Sequence, residues 1–267
     1  MADDVLVALD RWRADAPRIA TEIADEWGLT LGAAYTPGVC GHVVRAETED
    51  GTPVVLKVFF PDHETLQEPD ALEAWGGDGA IRLLRRDDAR SAMLLERCEP
   101  GGFLSSVRGE RALGVLIELL PRLWKQADGF HTLEDEVGYW LERGLAKVRH
   151  GDAAARLAEE LASSQGEQVL THQDLHADNV LAAAREPWLA IDPKPLAAER
   201  EFSVAPIVRS FELGHSKRDV LYRLDRLCSE LSLDRDRALG WTVVQTVAWS
   251  GGSFYVEPHM ETVEWLL

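Results

Sequence analysis

At Pro100-Gly101-Gly102 the chain changes rhythm, and this break constrains the fold more than any other feature. Before it, Leu29 to Tyr35, Val43 to Glu47 and Val54 to Phe60 read as strands, separated by turn signals at Pro37-Gly38 and Asp50-Gly51. Glu64 to Trp75 has helical spacing and stops at Gly76-Gly77, and Ala80 to Leu84 and Ala92 to Leu95 read as two more short strands. Ahead of them, Leu6, Leu9, Trp12 and then Ile19, Ile23, Trp27 recur at spacings of three and four, which predicts two helices with Pro17 in the first turn of the second. After the break, helices are predicted at Leu113 to Trp124, Glu134 to Val148 and Ala153 to Ser163. A β-rich interlude follows at Gln168 to Thr171, Val180 to Ala182 and Trp188 to Ile191, and helices resume near Ser203. The expected fold is α+β and two-lobed. A small antiparallel-sheet lobe spans 1–96, with a helical N-terminal extension over about 1–28, and a larger, mainly helical lobe spans 97–267.

A chain of 267 residues, 46% hydrophobic and 28% charged, can build such a pair of cores. Its formal net charge of -18 repels polyphosphate backbones, which argues against nucleic acid as a partner, and it attracts small cations. The same charge also serves plain solubility. Cys40, Cys98 and Cys228 are odd in number and far apart, which favours a reducing compartment over a disulfide framework. No basic stretch followed by an apolar one opens the sequence, and the most apolar segment, Leu113 to Leu120, is short and interrupted by Glu118. The expectation is a cytoplasmic protein with no membrane span.

The densest chemistry lies between Thr171 and Lys194, in T-H-Q-D-L-H-A-D-N-V-L and then W-L-A-I-D-P-K. His172-x-Asp174 is followed five positions on by Asn179, and Asp192 comes directly after an apolar strand. This is the catalytic-loop spacing of kinases with a protein-kinase-like fold. Phosphoryl transfer needs a carboxylate beside the acceptor hydroxyl and hard oxygen ligands for Mg²⁺. Asp174 fits the first task, as base or orienting group, and Asn179 and Asp192 fit the second. Asp and Asn also gather in loops simply because they make turns, but here apolar strands on both sides fix the interval.

Lys57 stands inside V-V-L-K-V-F-F, where an ammonium is costly without a partner. It reads either as a phosphate-gripping lysine paired to Glu64, Glu68 or Glu73, or as a lysine reaching solvent from an edge strand. Glu68 shares a helix face with Leu72 and Trp75 and is the inward candidate. A phosphate-covering loop at Thr36 to Gly41 offers Gly38 and Gly41 without the usual glycine pattern. Met93 to Glu96 would supply the linker that meets the nucleobase, ending at Glu96.

Together these residues resemble the aminoglycoside phosphotransferase superfamily, and within it the streptomycin 6-kinase and hydroxyurea-resistance kinase group. The likeness rests on P-V-V-L-K-V, on E-x-x-A-L-x-x-W from Glu68 to Trp75, on G-A-I-R-L-L from Gly79, and most on the two motifs above with the run into P-L-A-A-E-R-E-F. It extends from about Thr30 to Trp265. That group reads I-D-P-K where other kinases of the fold read D-x-G. The resemblance implies ATP and Mg²⁺ as cosubstrates, Asp174 as catalytic base, Asn179 and Asp192 as metal ligands, Lys57 with Glu68 as phosphate clamp, and His172 as the residue ordering the catalytic loop. Gln173 stands where a glycine is common and Pro195 follows Asp-Pro-Lys, departures that remove no reacting group.

For the acceptor, a small hydroxylated molecule of cationic or neutral kind, the candidate contacts are Asp178, Glu199, Glu212, Trp241, Gln245 and Trp249. The last three recur every four residues and read equally as a core stripe. Three other readings stand beside resistance to an aminoglycoside. One is a kinase of a metabolite hydroxyl such as a sugar, amino sugar or nucleoside-like compound. Another is a nucleotide-binding protein without turnover. The third is a metallohydrolase built on the alternation His172-x-Asp174-x-His176-x-Asp178.

Overall fold

The structure, a computed structural model, describes residues 2–36, 40–107, 109–250 and 257–267. It divides into two compact units, Met1–Gly101 and Gly102–Leu267, so the boundary falls inside the Pro-Gly-Gly break rather than after Glu96.

In the first unit a long helix, α1 (Ala2–Trp27), precedes β1 (Thr30–Ala34), β2 (Gly41–Glu47) and β3 (Pro53–Phe59). Then come α2 (Glu68–Trp75), β4 (Leu83–Asp87) and β5 (Ala92–Glu96). The five strands form one antiparallel sheet in the order β1-β2-β3-β5-β4. Alternation along β3 decides its two faces. Leu56 and Val58 meet Ala16, Ala20, Ile23 and Ala24 of α1, while Val54 joins Ala46 and Leu94. Burying each large aliphatic side chain contributes roughly 1.5–3 kcal/mol. Lys57 lies between them in sequence and therefore on the opposite face.

Two sequence expectations need correction here. The predicted helix pair at the N-terminus is one continuous helix with Pro17 inside it, because the apolar face of Ala16, Ala20, Ile23 and Ala24 is buried against the sheet on through the proline. The fourth strand starts at Leu83, not Ala80: Ala80 and Ile81 are buried ahead of it.

The second unit holds α3 (Glu110–Leu123), α4 (Leu133–Glu142) and α5 (Gly151–Ala162), then β6 (Gln168–Thr171), β7 (Val180–Ala182), β8 (Trp188–Ala190) and β9 (Leu196–Glu199). It ends with α6 (Ala205–Val208), α7 (Lys217–Leu231), α8 (Arg235–Ala248) and α9 (Glu257–Leu266). The strands pair as two antiparallel ribbons, β6 with β9 and β7 with β8. Strand β9 lies where the sequence reading placed no element. Its residues are all buried, so it lacks the alternating pattern that announces a half-exposed strand. Among the described residues no helix is long and apolar enough to cross a membrane.

Candidate active site

Strand β3 is the centre of its sheet, so Lys57 is not an edge residue. It is buried, and its Nζ donates to both carboxylate oxygens of Glu68 at 2.6 and 2.7 Å. Of the three candidate partners the structure selects Glu68, which is buried on α2 with Leu72 and Trp75. A buried pair of this kind is costly to break from one side, about 3–5 kcal/mol, because the remaining charge stays buried. Gly41 opens β2 opposite Phe59, and a Cβ there would stand 3.4 Å from Lys57 Cε. Glu96 ends β5, where its Oε2 accepts the backbone N–H of Arg82 at 3.0 Å. Gly38 lies outside the described residues.

In the second unit, the loop after β6 and the loop after β8 are tied together by His172. Its carbonyl accepts the N–H of Asp174 at 2.7 Å and that of Lys194 at 3.0 Å. Its buried ring bonds the Ile191 carbonyl at 2.9 Å, so Nε2 carries the proton. Burial pushes its pKa down to about 4, against smaller opposing pulls from Asp174 and the Ile191 carbonyl. Gln173 and Asp192 both take left-handed backbone conformations, with φ of 59° and 56°.

Asp174 is the focus of this cluster. Asn179 donates from Nδ2 to the Asp174 carbonyl at 2.9 Å and lies 3.4 Å from its Oδ2. Lys194 Nζ stands 3.8 Å from Oδ2, Arg209 Nη2 3.7 Å from Oδ1, and His176 Nε2 3.9 Å from Oδ1. Both cations lie over the indole of Trp249, with Lys194 Nζ 4.5 Å and Arg209 Cζ 4.7 Å from its centroid. Arg209 is buried, and burial lowers its pKa to about 10 against the pull of Asp174 and Glu212. With its amide N–H given to Asp174, Asn179 keeps a carbonyl oxygen to offer, and Asp192 is exposed. Both carry oxygens of the hard type that Mg²⁺ accepts and could hold such an ion.

The acceptor candidates separate. Glu212 bonds His176 Nδ1 at 2.9 Å, and His176, Asp178 and Glu212 bring donor atoms within 4.8 Å of one another. Burial would raise the Glu212 carboxyl, but the His176 hydrogen bond and charge prevail and hold it at about 2. The same pair and Asp174 raise His176 despite its burial. Glu199 and Trp241 are turned elsewhere. Glu199 is buried, takes the Arg237 guanidinium at 2.7 Å and the Gly166 N–H at 3.1 Å, and accepts from the Trp241 indole N–H. Trp241 packs edge-on against Phe202. Neither offers a free edge to a ligand, because packing β9 against α8 uses both.

Gln245 is also fully buried, with Oε1 accepting from Arg209 at 2.7 Å and Nε2 donating to the Gln173 carbonyl at 2.9 Å. It braces the loop instead of facing an acceptor. The alternating His/Asp run does not converge on one ligand set: among the described residues, His172 and Asp174 are absent from the cluster of His176, Asp178 and Glu212.

Arg209 was not legible in the sequence, where it merely ends the apolar run A-P-I-V. Arg223 was equally silent. Buried on α7, it donates to the carbonyls of Val208 at 2.9 Å and Gly214 at 2.7 Å, so it fixes both ends of the segment bearing Arg209 and Glu212.

Comparison with known proteins converges on one family. The chain is 38% identical to the streptomycin 6-kinase of Streptomyces griseus over 88% of its own length and 81% of that protein's. It is 40% identical to the hydroxyurea phosphotransferase of Kitasatospora aureofaciens, over 87% and 72%. Its fold is similar to that of the choline kinase LicA from Streptococcus pneumoniae, with a TM-score of 0.66 at 12% identity over 94% of this chain and 98% of that one. With the family model for aminoglycoside/hydroxyurea antibiotic resistance kinases matching residues 26–253, more than three quarters of the sequence, the chain belongs to that kinase family.

Proposed function

We propose that this protein is an ATP-dependent O-phosphotransferase whose acceptor is a streptomycin-like aminoglycoside. Kinase chemistry comes with the family, and the protein is a phosphotransferase that acts on a hydroxyl. The observation that carries the substrate reading is the pairing of Asp174 with a neighbouring acidic group. The Asp174 carboxylate is set by Asn179 and two cations, and Asp178 and Glu212 gather around His176 on one side of it. A carboxylate beside the reacting hydroxyl, with further carboxylates nearby, suits an acceptor bearing guanidinium or ammonium groups.

The roles follow from the chemistry. Asp174 orients the acceptor hydroxyl and takes its proton as the oxygen attacks the γ-phosphorus. His172 and Gln245 hold the loop that presents it. Lys57, fixed by Glu68, grips the α- and β-phosphates, with Gly41 along the triphosphate and the strand end at Glu96 toward the base. Asn179 and Asp192 would hold Mg²⁺, which when bound neutralises the triphosphate. Units 1–101 and 102–267 then serve as the nucleotide-binding and the catalytic lobe.

A coupled ATP-consumption assay tests this against streptomycin-like aminocyclitols, other aminoglycosides, hydroxyurea and simple sugars. The expected result is turnover with the streptomycin-like acceptors and phosphate recovered on them. In the same assay Asp174→Ala should abolish transfer while leaving ADP binding intact. Turnover only with hydroxyurea or sugars would overturn the acceptor assignment, and an active Asp174→Ala would overturn the site.

A further inference from the structure

We propose that Lys194 is a catalytic residue, the ammonium that meets the phosphoryl group on the acceptor side as it transfers. The inference rests on the reading of Asp174 given above.

Its backbone placement is the first ground. The N–H groups of Asp174 and Lys194 converge on the single carbonyl oxygen of His172, so the two residues hang from one atom. Pro193 and Pro195 flank Lys194, fixing their own φ and disfavouring helical conformations for the residues before them. The lysine therefore projects from a stiff, anchored segment.

The second ground is the contrast between the two cations beside Asp174. Arg209 is buried and bonded by Gln245, so it is a fixed counter-charge. Lys194 has a side chain 26% exposed, resting over Trp249, and its Nζ lies 3.8 Å from Oδ2. That distance makes an ion pair and exceeds a hydrogen bond. At that distance the ammonium is an electrostatic neighbour of the carboxylate, within one side chain's reach of an oxygen bound beside Asp174. Its three donors and compact charge suit a moving group of oxygens better than a planar guanidinium does.

The chemistry supplies that oxygen. The acceptor oxygen bonds to the γ-phosphorus, and the bond from that phosphorus to the bridging oxygen breaks. The electron pair leaves with ADP, and the hydroxyl proton passes to Asp174. Charge is spread over the three equatorial oxygens midway. A cation within one side chain's reach of Asp174 stands beside both the attacking oxygen and an equatorial one, and keeps its own proton throughout. Stabilisation confined to the transition state lowers the barrier without tightening substrate binding.

The test compares Lys194→Met with the wild-type protein, using ATP and the γ-thiophosphate analogue ATPγS as donors, with ADP affinity measured by calorimetry. Loss of one such donor should lower kcat about 10²–10³-fold while KM and ADP affinity stay close to wild type. The rate penalty for replacing oxygen by sulfur should also shrink in the variant, because the ammonium that senses that oxygen is gone. A lysine that only balances the charge of Asp174 would leave the sulfur penalty unchanged. A kcat within about threefold of wild type, or a full sulfur penalty in the variant, overturns the proposal. Should Lys194→Met fail to bind ADP, Lys194→Gln is read by the same criteria. Asp174→Ala runs in parallel: if it turns over, the site reading itself fails, whereas an inactive Asp174→Ala beside an active Lys194→Met removes Lys194 alone.

Discussion

His172 and His259 are both held neutral at about 4, below the ordinary histidine value of 6.5. Burial is the main cause for each. His259 also feels the charge of Arg209, which lowers it further, opposed by Glu212. In both cases the folded pKa is the lower one, so as pH falls below 6.5 the unfolded chain takes up the proton first. Their contribution to stability is therefore complete above 6.5 and is lost as pH drops toward 4. For the fully buried His172 this is on the order of 3 kcal/mol. Melting temperatures should hold steady near neutrality and decline over that acidic interval. His259→Gln removes one of the two proton sites, so its decline should be shallower; parallel curves for variant and wild type would refute the assignment. The Lys57–Glu68 pair shows what was legible at this scale. A lysine in a run of apolar residues needs a partner, and helical spacing named Glu68. Arg209 and Arg223 gave no such signal, because their partners are distant carbonyls and side chains that only the tertiary fold brings near.

Among the elements, strands rich in branched aliphatic residues and bounded by turn signals were legible even where buried on both faces, and the Leu-Ala-Ala-Glu strand β9 was not. The periods of β2 and β3 and the turn at Asp50-Gly51 were readable, and Gln168 to Thr171 and Val180 to Ala182 match β6 and β7 to the residue. The buried β9 was missed, and Pro17 suggested a helix boundary that burial overrides. Helix starts expose another limit of sequence: close approach of backbone. Gly151 opens α5 directly after His150, whose φ is 63°. A Cβ on Gly151 would sit 2.0 Å from the Leu145 carbonyl oxygen and 2.9 Å from the Ala146 carbonyl carbon, and neither can yield without moving backbone. Gly151→Ala should therefore destabilise the protein by about 1–3 kcal/mol in urea denaturation. Gly138, inside α4, has nothing within 4 Å of its virtual Cβ. Gly138→Ala should instead stabilise by about 0.5–1 kcal/mol. A Gly151→Ala protein as stable as wild type would show that packing at Gly151 does not set the start of α5.

At the level of the whole molecule, the formal charge of -18 bears on which acceptor reaches the site and how fast. Composition alone left solubility and steering as equal readings. The acidic group of Asp178 and Glu212 near Asp174 gives the long-range field a local end point. Arg209 and Lys194 adjoin the same carboxylate, so the attraction felt by a cationic acceptor is a sum over the surface and not a property of any one pair. Salt separates the two contributions. Between about 0.05 and 0.5 M added salt the Debye length falls from above 10 Å to a few Å, which removes the distant field and leaves contacts at the site largely intact. For a streptomycin-like cation, kcat/KM should fall steeply with salt through KM, with kcat little changed. For neutral hydroxyurea or a sugar, if turned over at all, kcat/KM should depend on salt only through ATP. Because ATP is repelled by the same surface, its own KM should fall or stay level as salt rises, opposite to the cation. A cationic acceptor whose KM ignores salt would mean that the charge serves solubility alone and that recognition rests wholly on the few groups around Asp174.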